Sequence, residues 1–148
     1  MIPQRVTLIT LGVADVAASR RFYEDLGFRP AEFDSEEVAF FDMTNGVALA
    51  VFGREALAED ANVPANTANS PAGISLAINL DSEVAVDQAL AEVASKGARI
   101  TQPPRKVFWG GYSGYFADPD GYLWEIAYNP LWSVDDRGRM QLPPPKSP

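Results

Sequence analysis

Ser19, Phe22, Tyr23 and Leu26 stand at i, i+3, i+4 and i+7, the spacing of one helical face, and the spacing returns a constant 67 residues later at Val86, Ala89, Leu90 and Val93. A helical pattern recurring at such a period points to a chain built twice from one supersecondary unit. The surroundings repeat too. Each helix follows a short apolar stretch, Val6–Val13 or Ile74–Leu80, through a capping residue, Asp15 or Ser82. Each ends at a glycine, Gly27 or Gly97. Three short runs rich in Val and Phe follow the first helix, at Phe28–Asp34, Val38–Met43 and Val47–Phe52, with Asn45-Gly46 as the hairpin turn between the last two. After the second helix, Arg99–Thr101, Tyr112–Ala117 and Tyr122–Tyr128 read as strands. Between them lie a loop from Pro103-Pro104 through Trp109-Gly110-Gly111 and the turn Asp118-Pro119-Asp120-Gly121. Both halves therefore read βαβββ, and the fold class is α+β with eight strands.

The first module spans residues 5–53 and the second 73–130. The linker, 54–72, opens with a short acidic helical piece, Arg54–Asp60, and continues as an Asn/Ala/Pro-rich stretch without an apolar period. Residues 131–148 form an extension ending in Leu142-Pro143-Pro144-Pro145, which is expected to be extended and mobile.

Composition narrows the chemistry. The 148 residues include no cysteine and no histidine, so disulfides, thiolate metal sites, a thiol nucleophile and the usual neutral-pH base are all excluded. Twenty Asp and Glu against twelve Lys and Arg give a net charge of −8, which argues against nucleic-acid partners and suits a neutral or cationic ligand. The opening Met1-Ile2-Pro3-Gln4-Arg5 lacks the pattern of a signal peptide, and no apolar run is long enough to cross a membrane, so a cytoplasmic location is expected.

The motif Leu11-Gly12-Val13-Ala14-Asp15, then Ser19, Phe22-Tyr23 and Leu26-Gly27-Phe28, joined to Gly114-Tyr115-Phe116-Ala117-Asp118-Pro119-Asp120-Gly121-Tyr122-Leu123-Trp124-Glu125, resembles the vicinal-oxygen-chelate superfamily of glyoxalase I, bleomycin-resistance proteins and extradiol dioxygenases. The resemblance runs from about Val6 to Pro130. It implies a cup-shaped mixed sheet of eight strands, with helices outside and a ligand or metal within. In metal-using members the ligands come from the first and fourth strands of each module, positions that fall here on Leu8, Ala50, Ser75 and Glu125. Only Glu125 offers a metal donor of the required kind, and one carboxylate cannot fill the coordination shell of Mg, Mn, Ni or Fe. No metal and no other cofactor is expected, nor is metal-dependent glyoxalase or dioxygenase activity.

Candidate ligand-binding residues are Thr10, Phe41, Phe52, Ser75, Trp109, Tyr115 and Glu125, with Glu125 also the candidate acid or base. The aromatic members would wall a pocket for a planar or cationic molecule. Asp118 and Asp120 are read as parts of a type I turn. The leading functional expectation is binding of a small molecule, possibly cationic or aromatic, without a metal. A metal-independent isomerase or lyase acting through Glu125 and a non-catalytic interaction module are the alternatives. The resemblance also implies a homodimer.

Overall fold

Asp15 starts the first helix because its carboxylate accepts the Ala18 N–H at 2.9 Å, satisfying a donor that the first turn of any helix leaves open. In the computed structural model, which describes residues 4, 6–33, 35–62, 64–65, 74–108 and 110–143, that helix is α1 (Val16–Asp25). It follows β1 (Leu8–Val13) and precedes β2 (Val38–Asp42), β3 (Ala48–Gly53) and α2 (Arg54–Asp60). The second set is β4 (Ser75–Leu80), α3 (Glu83–Ser95), β5 (Arg99–Lys106), β6 (Tyr112–Ala117) and β7 (Leu123–Tyr128). Ser82 repeats the role of Asp15, its Oγ accepting the Ala85 N–H at 3.1 Å. No helix among the described residues is long and apolar enough to cross a membrane.

Contacts divide the chain into two units, Met1–Gly73 with Asp118–Tyr122, and Ile74–Ala117 with Leu123–Pro148. The turn between β6 and β7 thus groups with the first unit.

In the first unit the sheet order is β1-β3-β2, with β1 parallel and β2 antiparallel to β3. Because side chains alternate along a strand, the pairings Leu11↔Val51 and Ala39↔Val51 collect Leu11, Val13, Ala39, Phe41, Leu49 and Val51 on one face. All six are at most 5% exposed, as are Ser19 and Tyr23 of α1, and together they form this unit's core. Phe28 joins them by stacking on Tyr23, with ring centroids 5.6 Å apart. Each fully buried aromatic ring of this kind contributes about 1.5–3 kcal/mol.

Phe28–Asp34 does not form the strand expected from its composition. It is reduced to one antiparallel bridge, Pro30↔Phe41, with the Ala31 N–H donating to the Phe40 carbonyl at 2.8 Å, while Asp34 lies outside the described residues. Pro30 has no N–H to give to a ladder, and the turn of Phe28 into the core draws the chain away from an extended path. The described residues therefore hold seven strands in sheets of three and four, rather than one sheet of eight.

The second unit has the order β4-β7-β6-β5, with β4 parallel to β7 and the other pairs antiparallel. It is the arrangement of the first unit with the second strand of the module complete. α3 packs over β5, β6 and β7, and Val86 and Leu90 share this side of the unit's core with Phe116, Trp124 and Ile126. β5 is longer than expected and runs through Pro103-Pro104. Its place at the sheet edge tolerates prolines, and register shifts on either side of Gln102 absorb them. These irregularities bring β5 close to Gly114, where a Cβ would lie 2.8 Å from the Gln102 carbonyl oxygen and 2.9 Å from the Pro104 nitrogen. Only glycine fits there.

Candidate functional site

In the second unit the face turned away from α3 carries Ser75, Ala77 and Asn79 of β4, Leu123, Glu125 and Ala127 of β7, and Ser113, Tyr115 and Ala117 of β6. Glu125 pairs across strands with Tyr115 on one side and Ala77 on the other. Tyr115 and Glu125 are half-buried, and Ser75 is exposed. The Tyr115 phenol is held above its ordinary pKa, first by burial and then by the negative charge of Glu125, its cross-strand neighbour. Tyr115 therefore stays protonated at neutral pH, a donor beside a carboxylate whose oxygens accept no hydrogen bond from the described residues. Three of the sequence-derived residues, Ser75, Tyr115 and Glu125, thus come together on one sheet face.

Thr10 and Phe52 lie in the first unit, half-buried on the face opposite the core. Phe41 belongs to the other face of that sheet. It is 1% exposed and packs on Tyr23 and Phe28, so its ring is spent on the core rather than on a pocket wall. Its neighbour Phe40 occupies the face of Thr10 and Phe52. Trp109 lies outside the described residues.

The four positions that correspond to the ligands of metal-using members do not make up a metal site. Leu8 and Ala50 have no donor atom, Ser75 offers a neutral hydroxyl, and the chain has no histidine or cysteine to supply the difference. Among the described residues no group of three or more Asp, Glu, His or Cys side chains could hold a metal ion.

From the sequence alone Asp118 and Asp120 are turn residues. They do form the turn, with the Gly121 N–H donating to the Asp118 carbonyl at 3.0 Å, but both carboxylates are buried and reach across the first unit. Asp118 Oδ2 accepts the Tyr23 hydroxyl at 2.6 Å, while its Oδ1 accepts the N–H groups of Asp120 and Tyr122 at 2.9 and 2.8 Å. Burial nevertheless pushes the Asp118 pKa up, with those hydrogen bonds opposing it, Tyr23 foremost. Asp120 Oδ1 accepts the Ala14 N–H at 2.7 Å and the Arg54 guanidinium at 3.1 Å, and the Tyr122 hydroxyl donates to the Gly12 carbonyl at 2.9 Å. These bonds clamp the turn to the end of β1 and the starts of α1 and α2. Beside them, at the carboxyl ends of the parallel strands β1 and β3, lies an open cleft of about 490 Å³ lined by Val13, Ala14, Gly53, Arg54, Glu55 and Ala56. Nothing local in Asp-Pro-Asp-Gly announces these partners. The only sequence hint is that the fully buried helical position 23 carries a hydroxyl, which needs an acceptor.

Two successive α+β sets, one βαββ and one βαβββ among the described residues, each with its first strand parallel to its last, define a duplicated α+β class. A family model of the Glyoxalase/Bleomycin resistance protein/Dioxygenase superfamily matches residues 5–126, and the chain belongs to that superfamily. Among solved structures, a glyoxalase-related enzyme from Fulvimarina pelagi is 37% identical, with a TM-score of 0.84 over 95% of this chain and 99% of that one. A glyoxalase/bleomycin resistance protein/dioxygenase from Nocardioides is 28% identical, with a TM-score of 0.73 over 86% and 85% of the two chains. A lactoylglutathione lyase from Agrobacterium tumefaciens, 22% identical with a TM-score of 0.69 over 90% and 100%, shares the fold. No curated protein matches the sequence.

Proposed function

We propose that this superfamily member binds a small organic molecule against the sheet face that carries Ser75, Tyr115 and Glu125, and does so without a metal. The observation that supports the reading best is the cross-strand register that sets the protonated Tyr115 phenol beside the Glu125 carboxylate on one sheet face. A half-buried carboxylate with free acceptor capacity is an anchor for an ammonium, amidine or other hydrogen-bond-donating group, and an acidic chain of net charge −8 favours such a ligand. The lone carboxylate also argues against metal binding on the chemistry of the donors.

A second reading has one observation in its favour, since the 37% identical relative is described as an enzyme. On that reading Glu125 takes a proton from a bound substrate beside the neighbouring Tyr115 phenol.

The test is a thermal-shift screen of amines, amidines and aromatic cations against the full chain, followed by calorimetry on Glu125→Gln and Tyr115→Phe. Binding alone predicts that Glu125→Gln weakens a hit about ten-fold or more, that Tyr115→Phe weakens it less, and that the bound compound is recovered unchanged. Chemical conversion of the hit, retained affinity in Glu125→Gln and loss of conversion would establish the enzymatic reading instead. A stoichiometric divalent ion surviving chelator washing would overturn metal-free binding.

A further inference from the structure

The sheet face that carries Glu125 and Tyr115 continues onto the edge strand β5. There Gln102 stands beside Tyr115, Arg99 beside Ala117 and Arg105 beside Ser113. Paired residues of neighbouring strands share a face, so Arg99 and Arg105 project on the side of Glu125. Lys106, beside Tyr112, goes to the opposite side, and its partners there bear this out. Its Nζ lies 3.7 Å from Glu83 of α3, and the neighbouring Tyr112 hydroxyl donates to Asp87 of α3 at 2.7 Å.

On the α3 side the charges of β5 and α3 meet; on the other side they stay apart. Arg99 and Arg105 are exposed, and neither forms an ion pair with a carboxylate of the described residues. Glu125, half-buried on the same face, has no cation among the described residues as its ion-pair partner. Register explains the separation. Adjacent strands lie about 4.8 Å apart and two residues advance about 7 Å along a strand, so each arginine stands about 12 Å from Glu125 along the backbone surface, with β6 and its Tyr115 between them. A ligand that is only cationic uses the carboxylate and leaves both guanidinium groups idle. A ligand with an acid at its other end uses both kinds of charge.

We infer that the site takes a small zwitterion, with its ammonium or amidinium group on Glu125, its carboxylate on the guanidinium groups at the β5 edge, and the part between them over Tyr115. The inference rests on the metal-free binding proposed above and narrows its ligand from cations in general to amino acids and related amino-carboxylates. Arginine suits the acid end, because its planar fork takes a carboxylate through two parallel bonds and keeps its charge throughout the physiological pH range. Tyr115, half-buried between the two ends, offers an aromatic surface to the spacer.

Calorimetry on the full chain with matched probes separates the two charges. Benzylamine carries the cation alone, benzoate the anion alone and para-(aminomethyl)benzoate both; hexylamine and ω-aminohexanoate make the comparison without a ring. At least one of the two amino acids should bind about ten-fold or more tightly than its parent amine. The double variant Arg99→Gln/Arg105→Gln, at exposed positions outside the core, should keep the parent's melting temperature, abolish that advantage and leave amine affinity as it was. Glu125→Gln should weaken amines and amino acids alike. Amines that bind as tightly as the amino acids, or an arginine double variant that keeps the parent's preference, overturn the inference while cation binding at Glu125 stands. No binding of any probe up to about 10 mM, or binding indifferent to Glu125→Gln, overturns both the inference and the reading beneath it.

Discussion

Tyr23→Phe removes a single oxygen atom and measures what the buried clamp of the first unit contributes. The Tyr23 ring is fully buried and the substitution leaves its packing in place, so the loss is concentrated in the 2.6 Å bond to Asp118 Oδ2. A hydrogen bond to a charged group is worth about 1.5–3 kcal/mol, and the carboxylate left behind keeps only its two backbone donors. The expected cost at pH 7 is about 2 kcal/mol. For a chain of this size that corresponds to a fall in Tm of about 4–8 °C, or a displacement of the urea midpoint by about 1 M.

The dependence on pH is as informative as the size. Burial raises the folded-state pKa of Asp118 above its ordinary 3.8, so the stability linked to its proton is fully present below 3.8 and is lost as pH rises through the folded value. Removing Tyr23's hydroxyl takes away the strongest bond to the charged form and raises that value further. The deficit of the variant should then open as pH rises and narrow toward acid. Urea titrations of both proteins at several pH values between about 4 and 7.5 read this directly. A loss under about 0.5 kcal/mol at pH 7, or one that stays constant across the series, would refute the assignment of Tyr23 as the donor that holds the Asp118 charge.

Asp120→Ala should cost about 2–4 kcal/mol in urea unfolding, because it strands both the Ala14 N–H and the largely buried Arg54 guanidinium. Asp120→Asn keeps an acceptor for Ala14 and should cost less. Gly114→Ala should destabilise by about 1–3 kcal/mol or more, since backbone atoms of β5 rather than a flexible side-chain end must yield, and differential scanning calorimetry will show it. Ser19→Ala should be neutral or stabilise by up to about 1 kcal/mol, because the Ser19 Oγ is buried with no hydrogen-bond partner among the described residues, and the same calorimetry decides it.

What could be read from the sequence was what local physics determines. The two helical faces, their Asp15 and Ser82 caps and their closing glycines depend on neighbours within a few positions, and they stand as read. The strand prediction at Phe28–Asp34 failed because a run rich in apolar residues satisfies the strand pattern even where Pro30 interrupts the ladder and Phe28 is needed inside. Phe40 and Phe41 show the limit for the site. Adjacent residues of a strand face opposite ways, and two phenylalanines in succession give no sign of which side is the core until the pairing with β3 is known. Tyr115 and Glu125 were both identifiable as candidates, but their direct pairing depends on the register between β6 and β7.

Tyr23 and Asp118, Ala14 and Asp120, and Gly12 and Tyr122 are separated by 95, 106 and 110 residues along the chain. On a ribosome, β1 through α2 emerge long before the turn that completes their hydrogen bonding. During that interval the Tyr23 hydroxyl and the Ala14 N–H have no carboxylate to meet, and water must reach them. The early half therefore cannot acquire its final order of packing as it is made; it matures only when residues 118–122 arrive. Contacts of such long separation slow the search for the native state. They also make the last third of the message a condition for the first third to become stable, so a nascent chain stalled before residue 118 would display an unfinished core.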